Sequence, residues 1–384
     1  MAPLRVDQDA KTATGSRESP GETAPMENHQ ALPTGGNMNA RLGGIGVLLL
    51  GIVGAFLYLG GWFSPDKLTP ARFTDELERV NGKYSGFRRN HAKGVCVRGY
   101  FDSNGQGARL SKAVVFQAGR VPVIGRFSIG GGDPHAGDAL SDVRGLGLEY
   151  SLPDGEEWRT AMISLPVFPF KDPQAFYDNL VASQPDPNTR KPDPAKMAAF
   201  AARHPETVRV IGYLKTHPPS SGFDNSTFFG LNAFRLTDAN GTSIPVRWRL
   251  VPVQPFEAAG VNSEMEDKNF LFDALIASIL QHPLQWRLVI AVGQPGDPTN
   301  DPTIQWPEGR EQVDVGTLTL DSVESEEASP ARVINFDPLV LPAGIAPSDD
   351  PMLSARSAVY SQSFTRRTGE TKEPSAIAPA EVRK

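Results

Sequence analysis

Apolar and polar positions alternate over several stretches of the chain. Alternation runs through 121–130 (VPVIGRFSIG), 144–152 (RGLGLEYSL), 228–237 (FFGLNAFRLT) and 244–253 (IPVRWRLVPV), and KAVVFQA at 112–118 reads as a further short strand. Phe234 and Leu236, then Val246, Trp248 and Leu250, fall on one face of two strands joined through Asn240-Gly241, a strong hairpin signal. Another apolar strand follows HAKG at residues 91–94. This pattern suits an antiparallel sheet with one buried face or a closed barrel.

Helical signals interrupt the strands. Residues 69–85 form an amphipathic pattern, and Asp172-Pro173 and Asp193-Pro194 each supply an N-cap acid followed by proline at the first helical position. NFLFDALIASIL at 269–280 is a further helix. The fold class is therefore α+β: a mainly antiparallel β-barrel with appended helices.

Residues 1–41 are rich in Pro, Gly, Ser, Thr and Asn without apolar periodicity and read as a disordered leader. From Leu42 to Phe63 there is no charge, and about 20 such residues span a bilayer core. Tyr58 and Trp62 are interfacial aromatics. Residues 42–63 are expected to be a single transmembrane anchor, with Arg41 on a cytoplasmic N-terminal side and a folded domain over 66–368 outside the cytoplasm. The acidic stretch at 324–327 (ESEE) reads as an exposed loop, and 369–384 as a polar, frayed tail.

The 384 residues carry a formal charge of −6, which argues against a nucleic-acid partner. The one cysteine, Cys96, excludes an intrachain disulfide and a CxxC or CxxCH site. The six histidines have no zinc spacing, and neither a phosphate-binding loop nor a nucleophile elbow occurs. His91, just before an apolar strand, remains as a candidate for chemistry, with an ordinary hydrogen-bonded core histidine as the competing reading. Lys93 reads as a structural lysine pointing to solvent. Arg356 and Tyr360 are four apart and share a face if helical. A guanidinium beside a phenol favours the phenolate, an oxygen that iron(III) in haem can take as a ligand. The competing reading is a surface Arg–Tyr contact.

HAKGVCVRGYF, GRFS, SDVRGLGLEY, FPFKDPQAF, FRLTDANG, INFDPLVLPAGIAPSDDPML and ARSAVY follow one another in the order seen in haem catalases. Over roughly 69–367 the chain resembles the small catalase-related peroxidases, of the membrane-anchored type. The resemblance implies a catalase-like fold around non-covalent haem b. It makes His91 the distal acid–base, Ser128 the residue that orients it, and Tyr360 the proximal iron ligand beside Arg356. By the same resemblance Arg88, Arg126 and Arg367 hold the propionates and Phe176 lines the distal pocket. Two positions depart from the large catalases: Ser164 stands where they carry a distal asparagine, and Asn232 replaces a histidine. The C-terminal domain of large catalases is also missing, which implies a shorter, more open channel. The expected activity is peroxide reduction with a small organic donor and little or no catalase turnover, by a monomer or dimer. A fatty-acid hydroperoxide-transforming enzyme on the same fold, and a non-enzymatic haem-binding or sensing protein, are the alternatives.

Overall fold

The computed structural model describes residues 38–59, 67–259 and 268–382. The chain divides into two units, Met1–Pro65 and Asp66–Lys384. In the first, helix α1 spans Met38–Leu59, and its side chains Leu42, Ile45, Val47, Leu48, Leu49, Leu50 and Phe56 are exposed. Among the described residues no helix is long and apolar enough to cross a membrane. Residues 60–63 of the expected anchor and 1–37 of the leader lie outside the described residues.

The second unit is built on one antiparallel sheet. Its strands are β1 (Gly94–Ser103), β2 (Gly119–Ile129), β3 (Arg144–Ser151), β4 (Glu157–Ile163), β5 (Phe228–Phe229), β6 (Phe234–Thr237), β7 (Ser243–Pro252), β8 (Leu284–Val292), β9 (Gln312–Glu324) and β10 (Ile345–Pro347). Their order is β10-β6-β7-β5-β4-β3-β2-β1-β9-β8, and β8 pairs back onto β7, closing a barrel with β6 and β10 on its rim. Closure leaves the barrel strands without free edges, the second of the two arrangements that the alternating pattern suits. Leu146, Leu148 and Tyr150 of β3 point inward with Phe127, Trp158, Trp248, Leu288 and Leu318. The helices are α2 (Pro70–Asn81), α3 (Pro173–Ala182), α4 (Pro194–Arg203), α5 (Pro205–Thr216), α6 (Phe270–Gln281) and α7 (Pro351–Thr368). Asp172, Asp193 and Asp350 cap α3, α4 and α7 through their carboxylates, each followed by proline. Phe272, Leu275, Ile276 and Ile279 of α6 join the barrel core.

Several expectations are corrected. Residues 112–118 are not a strand: Val114–Phe116 is a 3-10 turn that turns Val115 and Phe116 into the core. A short apolar run has no period that separates the two. Residues 228–237 are not one strand either. Leu231 adopts φ 64°, which breaks the ladder between β5 and β6. The Asn240-Gly241 hairpin forms as read, with Gly241 at φ 85° and Thr237 opposite Ser243.

Lys93 does not reach solvent. It is 2% exposed, and its Nζ donates to Asp138 at 2.7 Å and to the carbonyls of Ala136 and Lys268 at 2.8 Å. The other Asp138 oxygen accepts from Leu271 N at the start of α6, so the pair ties the HAKG segment to that helix. Glu326 of the ESEE stretch is buried rather than exposed. The tail is not frayed over its first residues. Glu370 accepts from Arg89 and from Gly86 N, Lys372 pairs with Glu326 and Glu327, and Ile377 enters the core. The polar tail side chains are held because acids and bases far away in sequence meet them.

Breaking a buried pair strands a charge. Lys93→Met is expected to lower stability at neutral pH by roughly 3–5 kcal/mol. Burial raises the Asp138 carboxyl, so the deficit should shrink as pH falls and that group takes up a proton. Urea denaturation at two pH values checks this, and an unchanged midpoint would count against it.

Candidate functional site

A cavity of about 450 Å³ lies against the outer faces of β2, β3 and β4, beneath α2, α3 and α7. The strand alternation creates it. While Leu146 and Leu148 fill the barrel, Gly145 and Gly147 face outward and line the cavity. A Cβ on Gly145 would come within 2.7 Å of Ser128 Oγ and 2.9 Å of His91 Nδ1, and one on Gly147 within 2.7 Å of the Phe336 ring. Only a residue without a side chain leaves that wall open.

The expected site residues all line this one cavity: His91, Ser128, Arg88, Arg126, Phe176, Arg356, Tyr360 and Arg367. His91 precedes β1 in a left-handed backbone conformation, φ 55°. Its Nδ1 sits 3.2 Å from Ser128 Oγ. Burial, reinforced by the charges of Arg126, Arg356 and Arg88, pushes the imidazole down to about 4, so it is neutral at pH 7. Phe176 stacks on Phe170 at 4.7 Å, with Phe73 and Phe168 edge-on. With Ile163, Leu165 and Val143 they make an apolar approach to His91.

Tyr360 and Arg356 come from α7. Arg356 Nη2 donates to Tyr360 Oη at 3.3 Å and to the Ala161 carbonyl at 2.7 Å, while Nη1 donates to Asn232 Oδ1 at 2.5 Å. Asn232 in turn donates to Asp350, the α7 cap, at 2.7 Å. The break at Leu231 is what delivers Asn232 to this position.

Arg88, Arg126 and Arg367 form a cationic cluster. Arg126 donates through Nε to Glu326 at 2.5 Å, and Arg88 through Nη1 to the same oxygen at 3.0 Å. Arg367 donates to the carbonyls of Arg332 and Ile334. Burial would raise the Glu326 carboxyl, but Arg126, Arg88 and Lys372 hold it at about 2. Arg88 is pushed well below its ordinary value by burial and by the charges of Arg126 and Arg367; Arg367 is pushed down to about 10 by burial and by Arg126. Three guanidiniums thus stand at one cavity wall, and two of them, Arg126 and Arg88, share one carboxylate. Such a surplus suits a ligand that brings carboxylates of its own. An apolar macrocycle with acid groups along one edge fits the donor set, with the Tyr360 phenol oxygen able to meet a metal and His91 left free.

Residues that sequence reasoning missed are Glu326, hidden in an acidic run, and Asn90, which lines the cavity beside His91. The signal for Glu326 was the set of three arginines, Arg88, Arg126 and Arg367, expected at one site and in need of a counter-charge. Ser164 takes no part in the cavity: its hydroxyl accepts from Arg144 N at 3.1 Å within the strand pair. Among the described residues no cluster of His, Cys, Asp and Glu could hold a metal ion.

A closed antiparallel barrel carrying an arginine-edged pocket on its outer face defines a catalase-like protein, and comparisons agree. A family model described as Catalase matches residues 64–377. The chain is 39% identical over 308 residues to a Catalase-related peroxidase of Synechococcus elongatus, covering 80% of this chain and 91% of the relative. It is 32% identical over 305 residues to a Catalase-related peroxidase of Mycolicibacterium paratuberculosis, covering 79% and 96%. Among solved structures, a fungal catalase superposes with a TM-score of 0.67 at 19% identity, over 74% of this chain and 60% of that one; a bacterial catalase gives 0.65 at 22%, over 73% and 57%. The chain belongs to the catalase family. It spans less than two thirds of those solved catalases.

Glu326→Gln leaves Arg126, Arg88 and Lys372 without their shared counter-charge. The ligand-free protein is expected to lose roughly 3–5 kcal/mol of stability, measured by urea unfolding. Adding a dicarboxylate porphyrin should narrow the gap, and identical unfolding curves would argue against the charge balance described.

Proposed function

We propose that the Asp66–Lys384 unit is a haem b peroxidase that reduces hydrogen peroxide or organic hydroperoxides with a small organic donor, with weak or no catalase activity. The observation that carries this reading is that one cavity holds a neutral His91, an Arg356-bound Tyr360 and the arginine cluster. Arg88, Arg126 and Arg367 would take the propionates, and Tyr360 would ligate the iron. Bound there, haem supplies the redox centre that delivers two electrons to the peroxide O–O bond and recovers them from the donor.

The remaining chemistry belongs to the chain. His91 removes the proton from the near peroxide oxygen and returns it to the departing one, which leaves as ROH; with the two electrons and two protons that the organic donor gives up, ROOH is converted to ROH and water. The neutral imidazole can do this because burial and three nearby cations disfavour its protonation. Ser128 fixes the ring through Nδ1, leaving Nε2 for the peroxide. Arg356 keeps its guanidinium against Tyr360 because Asn232 and the Ala161 carbonyl hold its other positions. The aromatic and aliphatic approach favours an organic donor or hydroperoxide. Ser164 is tied into the strand pair, so that strand offers no amide to a second hydrogen peroxide.

We also propose that residues 42–63 anchor the protein in a membrane, with the catalytic unit outside the cytoplasm. What supports this is the uncharged run in the sequence, which continues past the end of α1, together with the exposed apolar side chains of that helix. Carbonate-washed membranes should retain the full chain and release a version lacking 42–63; release of both would refute the anchor.

His91→Ala should keep its haem and lose peroxide turnover by roughly 100-fold or more. Native turnover should fall as pH drops through about 4, where the base becomes protonated. Tyr360→Phe should lose haem or change the ferric spectrum. Full turnover in the first variant, or an unaltered spectrum in the second, would sink the assigned role.

A further inference from the structure

His91 sits in the left-handed region at φ 55°, which side chains bearing a Cβ disfavour. Histidine tolerates that conformation better than most residues, but it is still uncommon there and needs holding by its surroundings. Four hydrogen bonds do so. Arg126 Nη1 donates to the His91 carbonyl at 2.9 Å and Nη2 to the Ala92 carbonyl at 2.8 Å. Ala92 N donates to the Gly131 carbonyl at 3.0 Å. The bond on the N-terminal side of His91 comes from its neighbour: Asn90 Oδ1 accepts from His91 N at 3.0 Å. The same oxygen accepts from Gly131 N, also at 3.0 Å. A single carboxamide oxygen thus clamps the peptide entering His91 to the segment that follows β2, the strand that carries Ser128.

We propose that Asn90 is a positioning residue: its side-chain oxygen holds the strained His91 backbone so that the imidazole is aimed into the cavity at the Ser128 register. The role rests on His91 being the base of the proposed reaction. It belongs to the amide oxygen, which an aspartate would reproduce and a leucine of similar size would not. Loss of the clamp frees two backbone N–H groups and lets the His91 peptide relax toward ordinary φ. The ring then swings off Ser128, while the groups expected to hold the cofactor, Tyr360 and the arginine cluster, are untouched.

The test compares Asn90→Leu, Asn90→Asp and His91→Ala as full-length haem-loaded proteins at pH 7. Haem content, peroxide turnover and the association rate of cyanide are measured. Cyanide enters as hydrogen cyanide and must give up a proton to bind as the anion, so its association reads the placed base without turnover. Asn90→Leu should keep haem and lose roughly 100-fold in both rates, as a misplacement of about 1 Å can do. Asn90→Asp should restore both. Native rates in a haem-loaded Asn90→Leu, with His91→Ala inactive, would overturn the role of Asn90 alone. Native rates in His91→Ala would overturn the proposed function itself. If Asn90→Leu does not fold, Asn90→Asp decides: native rates support the oxygen clamp, and their loss overturns it.

Discussion

The guanidinium of Arg126 is the interaction on which the site depends. It projects from β2, donates through Nε to Glu326 beyond β9, and through its two terminal nitrogens to the carbonyls of His91 and Ala92. One planar cation therefore joins a barrel strand, the HAKG segment and the carboxylate that the C-terminal tail also reaches through Lys372 and Ser375. The close approach of that fork explains Gly94, where a Cβ would meet the Arg126 guanidinium at 2.4 Å. A guanidinium suits this place because its fork meets several acceptors at fixed angles and it keeps its charge when buried.

The same cation sets the electrostatics. Arg126 contributes to holding Glu326 ionised and to keeping His91 neutral. The cluster is positive beyond what Glu326 balances, which disposes the cavity toward a carboxylate-bearing cofactor. The neutral His91 and the Arg356-bound Tyr360 phenol line this same cavity, where the proposed cofactor would bind. Specific geometry and charge thus arise from one set of buried pairs rather than from separate devices.

Much of this was legible in the sequence. The Asp-Pro helix starts at 172 and 193 and the hairpin through Asn240-Gly241 are local signals, and they fold as read. His91, Ser128, Arg356 and Tyr360 were found because their motifs stay in order, and the barrel brings them together. What escaped was set by distant partners. Lys93 looked solvated because nothing nearby marks Asp138 as its partner. Glu326 looked like one of several surface acids, since its burial depends on arginines supplied by two other segments and a lysine from the tail. β8 and β9 were missed although they alternate, as their neighbours gave no hairpin turn to delimit them. Asn90 drew no reading because the His91 conformation it holds exists only in the folded backbone.

The most direct measurement is an absorption titration of the purified full-length chain with ferric protoporphyrin IX, followed by peroxide and then a phenolic donor. The account predicts saturation at one porphyrin per chain, a ferric spectrum of the phenolate-ligated kind, an immediate change on adding peroxide, and return to the ferric spectrum with donor. Saturable binding with no response to peroxide would contradict the enzymatic role of His91, and no binding would contradict the reading of the cavity.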